Sequence, residues 1–305
     1  MKSIQSLRGL VQHLQIHKTC KTVAVACGQD ANTIQALARA VEDGFANVRL
    51  FGNEMVINKV CDDFEISHSV FSITPCKTDE EAMKQALSTV RNNESDILMK
   101  GLINTDLFLK SVLDKEFGLM KPKTVLSYVC AIELPDYPRL LFVTDPAVIL
   151  QPDLAQKKAM VEYAVKMAQK FGIKKPKVAL ISATEKPGEG LPHTFDYSHL
   201  CTMARRSQIK DCIIDGPLDI FTACDPNAAA IKGIQTEVNG DADILLFPNI
   251  ESCNAFYKGL MLFGKGELAG ILQGTEKPVV MMSRSESELS KYYCLALACL
   301  MTENN

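Results

Sequence analysis

The chain has 305 residues, 47% of them hydrophobic and 23% charged, with 33 basic and 36 acidic side chains for a formal net charge of −3. That balance, with no basic stripe, excludes the electrostatic footprint of a nucleic-acid binder, and no apolar run reaches the ~18 residues of a membrane span. A chain this long outgrows a single hydrophobic core, so two domains are expected.

In chain order, MKSIQSLRGLVQHLQIHK opens as an amphipathic helix without the apolar core of a signal peptide. Strands are predicted at 22–28, 47–52, 96–101, 124–134 and 140–145, and again at 177–182, 212–218, 243–249 and 278–283. Several are continuous apolar runs, as in strands covered on both faces. Between the first two, Ile34, Leu37, Ala38 and Val41 repeat with helical period. Thr78 and Glu81 predict a capping box. A longer helix from Pro152 to Phe171, stopped by Gly172, carries Lys157, Lys158, Lys166 and Lys170 off its apolar side and is long enough to link two domains. The alternation implies parallel sheets with right-handed crossovers, with a domain boundary near 145–150.

The eleven cysteines include no C-x-x-C and no Cys/His cluster of zinc spacing. They read as buried small hydrophobes in a reducing compartment, so a soluble cytoplasmic protein is expected and the sequon at Asn93 is silent.

Ligands in open α/β sheets sit at the carboxyl ends of the strands, and here those ends are polar. Lys100 and Gly101 end one strand, and Asn104 and Thr105 precede a helix whose amides suit an anion. The simpler reading there is a βα turn with an N-cap. Ser283 and Arg284 follow another strand, where a guanidinium and hydroxyls suit phosphate; capping by Ser283 or Ser285 is the alternative. The loop 181–196 carries Glu185 and Lys186, for which the simpler reading is a solvent-exposed pair with each other, and His193 and His199, which read as surface or supporting groups. Asp215, Gly216 and Pro217 close a further strand, and Glu251, Asn254 and Lys258 share one helical face after Pro248. No phosphate loop or dinucleotide fingerprint occurs.

In order, LMKGLINT (98–105), LISATEK (180–186), MARRSQIKDCIIDGPL (203–218), ADILLFPNIESCNAFYK (242–258) and SRSES (283–287) resemble the phosphate acetyl/butyryl transferase family, and within it the butyryl branch. The resemblance implies an α/β fold of two lobes, each a parallel-type sheet covered by helices, like the isocitrate and isopropylmalate dehydrogenases, with the active site in the interlobe cleft. The lobes would be 1–145 plus 271–305, and 146–270. It implies exchange of phosphate and CoA on a short acyl group, with butyryl preferred to acetyl and with no metal or cofactor; acyl-CoA and phosphate are the partners, not nucleic acid or membrane. A homo-oligomer and a pathway link to an acyl kinase are expected. Ser283 and Arg284 map onto the family's phosphoryl-binding pair. The acetyl branch's base-like aspartate falls on Ser290, leaving Glu286 and Glu288 as the nearest carboxylates, with Glu286 the expected base. Lys100, Gly101, Asn104, Thr105, Asp145, Glu185, Lys186, Asp215, Gly216, Pro217, Glu251, Asn254 and Lys258 are the expected substrate-binding set. Pro146 and Ile149 depart from the family pattern after Asp145. Open alternatives are a phosphate acetyltransferase, a non-catalytic acyl-CoA or acyl-phosphate binding protein, and a dehydrogenase of the same fold.

Overall fold

The structure is a computed structural model that describes residues 3–283 and 286–303. The first stretch of the chain runs α1 (Leu7–Ile16), β1 (Lys21–Ala26), α2 (Ala31–Glu42), β2 (Ala46–Gly52), α3 (Glu54–Asp63), β3 (Ser72–Pro75), α4 (Asp79–Arg91), β4 (Ile97–Lys100) and α5 (Thr105–Val112). It continues with β5 (Ser127–Glu133), β6 (Leu141–Thr144), α6 (Leu154–Lys170), β7 (Lys177–Ile181), α7 (His193–Arg205), β8 (Ile213–Leu218), α8 (Ile220–Cys224) and α9 (Pro226–Ile231). The remainder is β9 (Ile244–Leu246), α10 (Ile250–Phe263), β10 (Glu267–Gln273), β11 (Val279–Val280) and α11 (Glu288–Thr302). Among the described residues no helix is long and apolar enough to cross a membrane.

Two compact units form. Unit I is Leu7–Thr124 with Leu268–Asn305, and unit II is Met1–Ser6 with Val125–Glu267. Both divisions differ from the expected 145/146 and 270/271. The reason is strand pairing: β5 and β6 form an antiparallel pair, and β6 runs parallel to β9, which draws both into unit II.

Unit I pairs its strands in the order β3-β2-β1-β4-β11-β10, parallel except for β10 against β11. Its strands are short; β11 keeps only two residues of the predicted 278–283 run. In α2, Asp30 caps the first turn by accepting from the Thr33 amide. The buried face is Thr33, Ile34, Ala36, Leu37 and Ala40, so Val41 is only half-buried and the stripe is rotated from the one expected. α11 packs against α2 and is buried from Leu295 through Leu300 on every side, as befits a helix with no polar face. Each such Leu contributes roughly 1.5–3 kcal/mol by leaving water. Thr78 caps α4, but Glu81 returns its carboxylate to the Lys77 amide rather than to Thr78, so the predicted capping box is half formed.

Unit II pairs its strands in the order β5-β6-β9-β7-β8, with only β5–β6 antiparallel. α6 covers β5, β6 and β9 within this unit and is not a linker. It opens on a full capping box between Asp153 and Gln156 and ends where Gly172 takes φ +93. Seven of the eleven cysteines are buried, and all eleven are free thiols. Burial pushes Cys27 and Cys201 up to about 12, so both stay protonated.

Candidate active site

In unit I, β4 and β11 run side by side, with Leu98 opposite Val279 and Met99 opposite Val280. Their carboxyl ends therefore open together although about 180 residues separate them in the chain. Beyond them lies a polar pocket of about 400 Å³ lined by Lys100, Asn104, Thr105, Asp106, Met282 and Ser283. Lys100 is only 4% exposed, and its ammonium donates to the Gly101 carbonyl at 3.2 Å. Asn104 caps α5, its side-chain oxygen accepting from the Asp106 amide at 2.8 Å. Thr105 is the exposed first residue of that helix.

Gly101 has a packing role. A Cβ there would lie 2.2 Å from the Cys27 carbonyl oxygen and 2.8 Å from the Gly28 Cα, both backbone atoms. The Gly101 and Leu102 amides donate to the Ala26 and Cys27 carbonyls at 2.9 and 2.8 Å. Only glycine lets the two strand ends meet this closely.

Ser283 is exposed at the pocket rim, and its carbonyl accepts from the Glu286 amide at 3.3 Å. Arg284 and Ser285 lie outside the described residues. The cap of α11 is Ser287 rather than Ser283; its hydroxyl accepts from the Ser290 amide at 2.9 Å. Ser290 is buried in α11, its hydroxyl accepting from the Leu268 amide at 3.4 Å.

Unit II holds a second polar group at its own strand ends. Ser182 directly follows β7, and its hydroxyl lies 3.1 Å from His193 Nε2, the first residue of α7. This bond ties the two ends of the loop 183–192 together, and Thr194 adds to it by accepting from the Gly188 amide at 3.1 Å. Burial and the neighbouring Lys157 charge push His193 below the ordinary histidine value, opposed by Asp196. His193 is thus a structural half of a pair rather than a surface group, whereas His199 is exposed.

The remaining expected residues of this unit divide into two kinds. Glu185 does not pair with Lys186: its carboxylate takes the Lys232 ammonium at 2.6 Å, and Lys232 also reaches Asp219. Lys186, Glu251 and Lys258 are exposed. Asp215 accepts from the Gly216 and Glu237 amides at 2.9 and 3.1 Å. Gly216 stands at φ +150, where a Cβ would meet Leu180 at 2.6 Å, and it precedes Pro217 through a cis peptide. Asn254 shares the face of α10 that carries Glu251 and Lys258, as expected, but is half-buried, and its amide nitrogen donates to the Pro146 carbonyl at 2.8 Å.

Asp145 is 2% exposed, and only donors converge on it. One oxygen accepts from the Ala147 and Val148 amides, each at 2.9 Å; the other accepts from the Ser127 hydroxyl at 2.9 Å, the Tyr128 amide at 3.0 Å and the Ile149 amide at 3.4 Å. Burial pushes its carboxyl up, and these bonds oppose the rise. Placed so, Asp145 braces the turn after β6 and offers no free oxygen to a substrate.

Sequence reasoning missed Lys157. It is 3% exposed, and its ammonium meets Asp196 at 2.6 Å. The signal was present: Lys157 stands four residues before Val161 and seven before Ala164, on the buried stripe of α6. Among the described residues no group of three or more His, Cys, Asp or Glu side chains is arranged to hold a metal ion.

Comparison with known proteins assigns the chain a family. The sequence profile described as "Phosphate acetyl/butaryl transferase" matches residues 77–299. A phosphate butyryltransferase of Clostridium acetobutylicum is 40% identical over 287 residues, covering 94% of this chain and 95% of the relative. A phosphate acetyltransferase of Thermotoga maritima is 38% identical over 280 residues, 92% and 95% of the two chains. Among solved structures, a branched-chain phosphotransacylase from Enterococcus faecalis V583 superposes with a TM-score of 0.81 at 29% identity, covering 93% of this chain and 100% of that one. The α/β fold with its mostly parallel strands and flanking helices is therefore that of the phosphotransacylases, and the reading as a non-catalytic binding protein is not favoured. The chain belongs to the phosphate acetyl/butyryl transferase family and is a phosphate acyltransferase.

Proposed function

We propose that this enzyme prefers butyryl-CoA to acetyl-CoA, and that the pocket at the ends of β4 and β11 receives the phosphate. The phosphate assignment is carried by one observation: Lys100, Asn104, Thr105 and Ser283, from phrases far apart in the chain, line a single polar pocket. The chain preference is supported by the Lys100-Gly101 and Ile250-Glu251 phrases, which resemble the butyryl branch, and by 40% identity to the Clostridium acetobutylicum butyryltransferase against 38% to the Thermotoga maritima acetyltransferase.

The chemistry needs such a pocket. A phosphate oxygen attacks the thioester carbonyl, the carbonyl oxygen takes up negative charge in a tetrahedral species, and the C–S bond breaks to release CoA thiolate. Donors preorganised around phosphate and oxyanion stabilise that charge, each by roughly 3 kcal/mol, and holding both substrates in place lowers the barrier further. The Lys100 ammonium, the hydroxyls of Thr105 and Ser283, and the free amides at the start of α5 are donors of this kind. Asp106, in the first turn of α5 and lining the same pocket, opposes the positive field that Lys100 supplies there. Glu286 is the proposed base that takes the thiol proton when CoA attacks acyl phosphate. In unit II, the exposed Lys186 and Lys258 suit the anionic end of CoA.

Thioester loss followed by ultraviolet absorbance, with and without phosphate, tests this directly and avoids thiol reagents that the eleven cysteines would consume. Phosphate-dependent loss with a higher kcat/KM for butyryl-CoA than for acetyl-CoA is expected. An equal or higher value for acetyl-CoA overturns the chain preference. Ser283→Ala is expected to raise the phosphate KM, and an unchanged phosphate KM overturns the assignment of the pocket.

A further inference from the structure

The Glu286 amide donates to the Ser283 carbonyl at 3.3 Å, so these two residues close a turn between β11 and α11. β11 ends at Val280, and α11 begins only at Glu288. Opposite it stands the start of α2. Lys291, in the first turns of α11 and 4% exposed, donates to Asp30 Oδ1 at 2.8 Å and to the Thr33 hydroxyl at 3.0 Å. Asn32 Nδ2 donates to the Glu286 carbonyl at 3.3 Å, on the turn itself. Asp30 is in turn fixed as the cap of α2, accepting from the Thr33 amide at 3.0 Å.

We propose that Asp30, Asn32 and Lys291 are positioning residues that set Glu286, and through it Ser283, at the phosphate pocket. A buried ion pair of this kind contributes little net stability over an apolar pair of the same size, because desolvation offsets the attraction. Its directional bonds instead select one register of α11 against α2. The selected register places Glu286, and with it Ser283, through the Asn32 contact and the cap at Ser287. Asp30 Oδ2 is buried with no hydrogen-bond partner, so one carboxylate oxygen carries both the cap and the Lys291 contact. Against a burial that raises it, the bonds from Lys291 and Thr33 hold Asp30 below the ordinary aspartate value, keeping the pair ionised.

This inference rests on the reading that the turn binds phosphate, and the test separates the two. Steady-state KM for phosphate, KM for butyryl-CoA and kcat are measured for Asp30→Asn, Asn32→Ala and Ser283→Ala, with circular dichroism as the fold check. Asp30→Asn is expected to raise the phosphate KM about tenfold, and Asn32→Ala about threefold, with the butyryl-CoA KM within about twofold of the parent. Should Asp30→Asn fail to fold, the exposed Asn32 decides, since its loss leaves no cavity or buried charge. A raised phosphate KM in Ser283→Ala but in neither of the others overturns the positioning role alone. An unchanged phosphate KM in Ser283→Ala overturns the phosphate reading, and the inference with it. Parallel changes in both KM values and kcat would mean a loosened unit I and would also overturn it.

Discussion

Asp145→Asn removes one acceptor from a position where only donors meet. In the parent, the Ala147 and Val148 amides share one carboxylate oxygen, and the Ser127 hydroxyl, Tyr128 amide and Ile149 amide share the other. The variant must turn an NH2 group toward one of these sets. Facing Ala147 and Val148, it leaves two short backbone bonds unmade. Facing the other set is cheaper, because the Ser127 hydroxyl can rotate to accept and the Ile149 contact is already long at 3.4 Å. The Tyr128 amide is then left without an acceptor. A buried unsatisfied donor costs about 1–3 kcal/mol, and the remaining bonds lose their charge assistance, so a loss of about 2–4 kcal/mol follows. Against a total stability of about 5–15 kcal/mol that is a large fraction. Urea denaturation followed by circular dichroism measures it as a lower midpoint at unchanged slope, and thioester assays on the folded variant measure kcat/KM. If the variant loses less than about 0.5 kcal/mol while kcat/KM for butyryl-CoA falls more than tenfold, the bracing role is refuted and Asp145 acts on the substrate instead.

Two further outcomes follow from single contacts. Gly101→Ala drives a methyl into the backbone of Cys27 and Gly28, with no flexible side chain to yield. Overpacking against rigid backbone costs about 3 kcal/mol or more, which for a unit of this size lowers Tm by roughly 6–12 °C; an unchanged Tm would refute the close approach. His193 is held below its ordinary 6.5 in the folded protein, by burial first and then by Lys157. The unfolded chain therefore binds more protons as pH falls below 6.5, and stability drops through that window. His193→Gln is expected to flatten this part of the stability–pH curve, and a curve of unchanged slope would show that another group causes the drop.

Most strands were legible because their signal is local. Runs such as TVAVACG and KVALIS are apolar, β-branched and closed by small or polar residues, and the structure contains β1 and β7 there. β3 and β10 escaped for the same reason in reverse. SITP is half-exposed and ends in proline, and ELAGILQ mixes helix-forming Leu, Ala and Glu, so neither carries a clear period. The antiparallel turn from β5 to β6 was equally hidden, since LPDYPR between them names a turn but not the direction of pairing.

By itself the sequence determined the strand-and-helix order, the helix stops, the polar strand ends and, through ordered phrases, the family. Those properties reside in the spacing of neighbouring residues. The tertiary structure decided which of the polar groups face one another. Glu185 took Lys232 across 47 residues, Lys157 took Asp196, and Lys291 took Asp30 across 261. It also decided that Gly101 serves packing and that Asp145 serves its own turn. A charge or a glycine has the same local appearance in either role. What distinguishes the roles is the atom placed opposite, and that atom belongs to a segment brought near only by the pairing of distant strands.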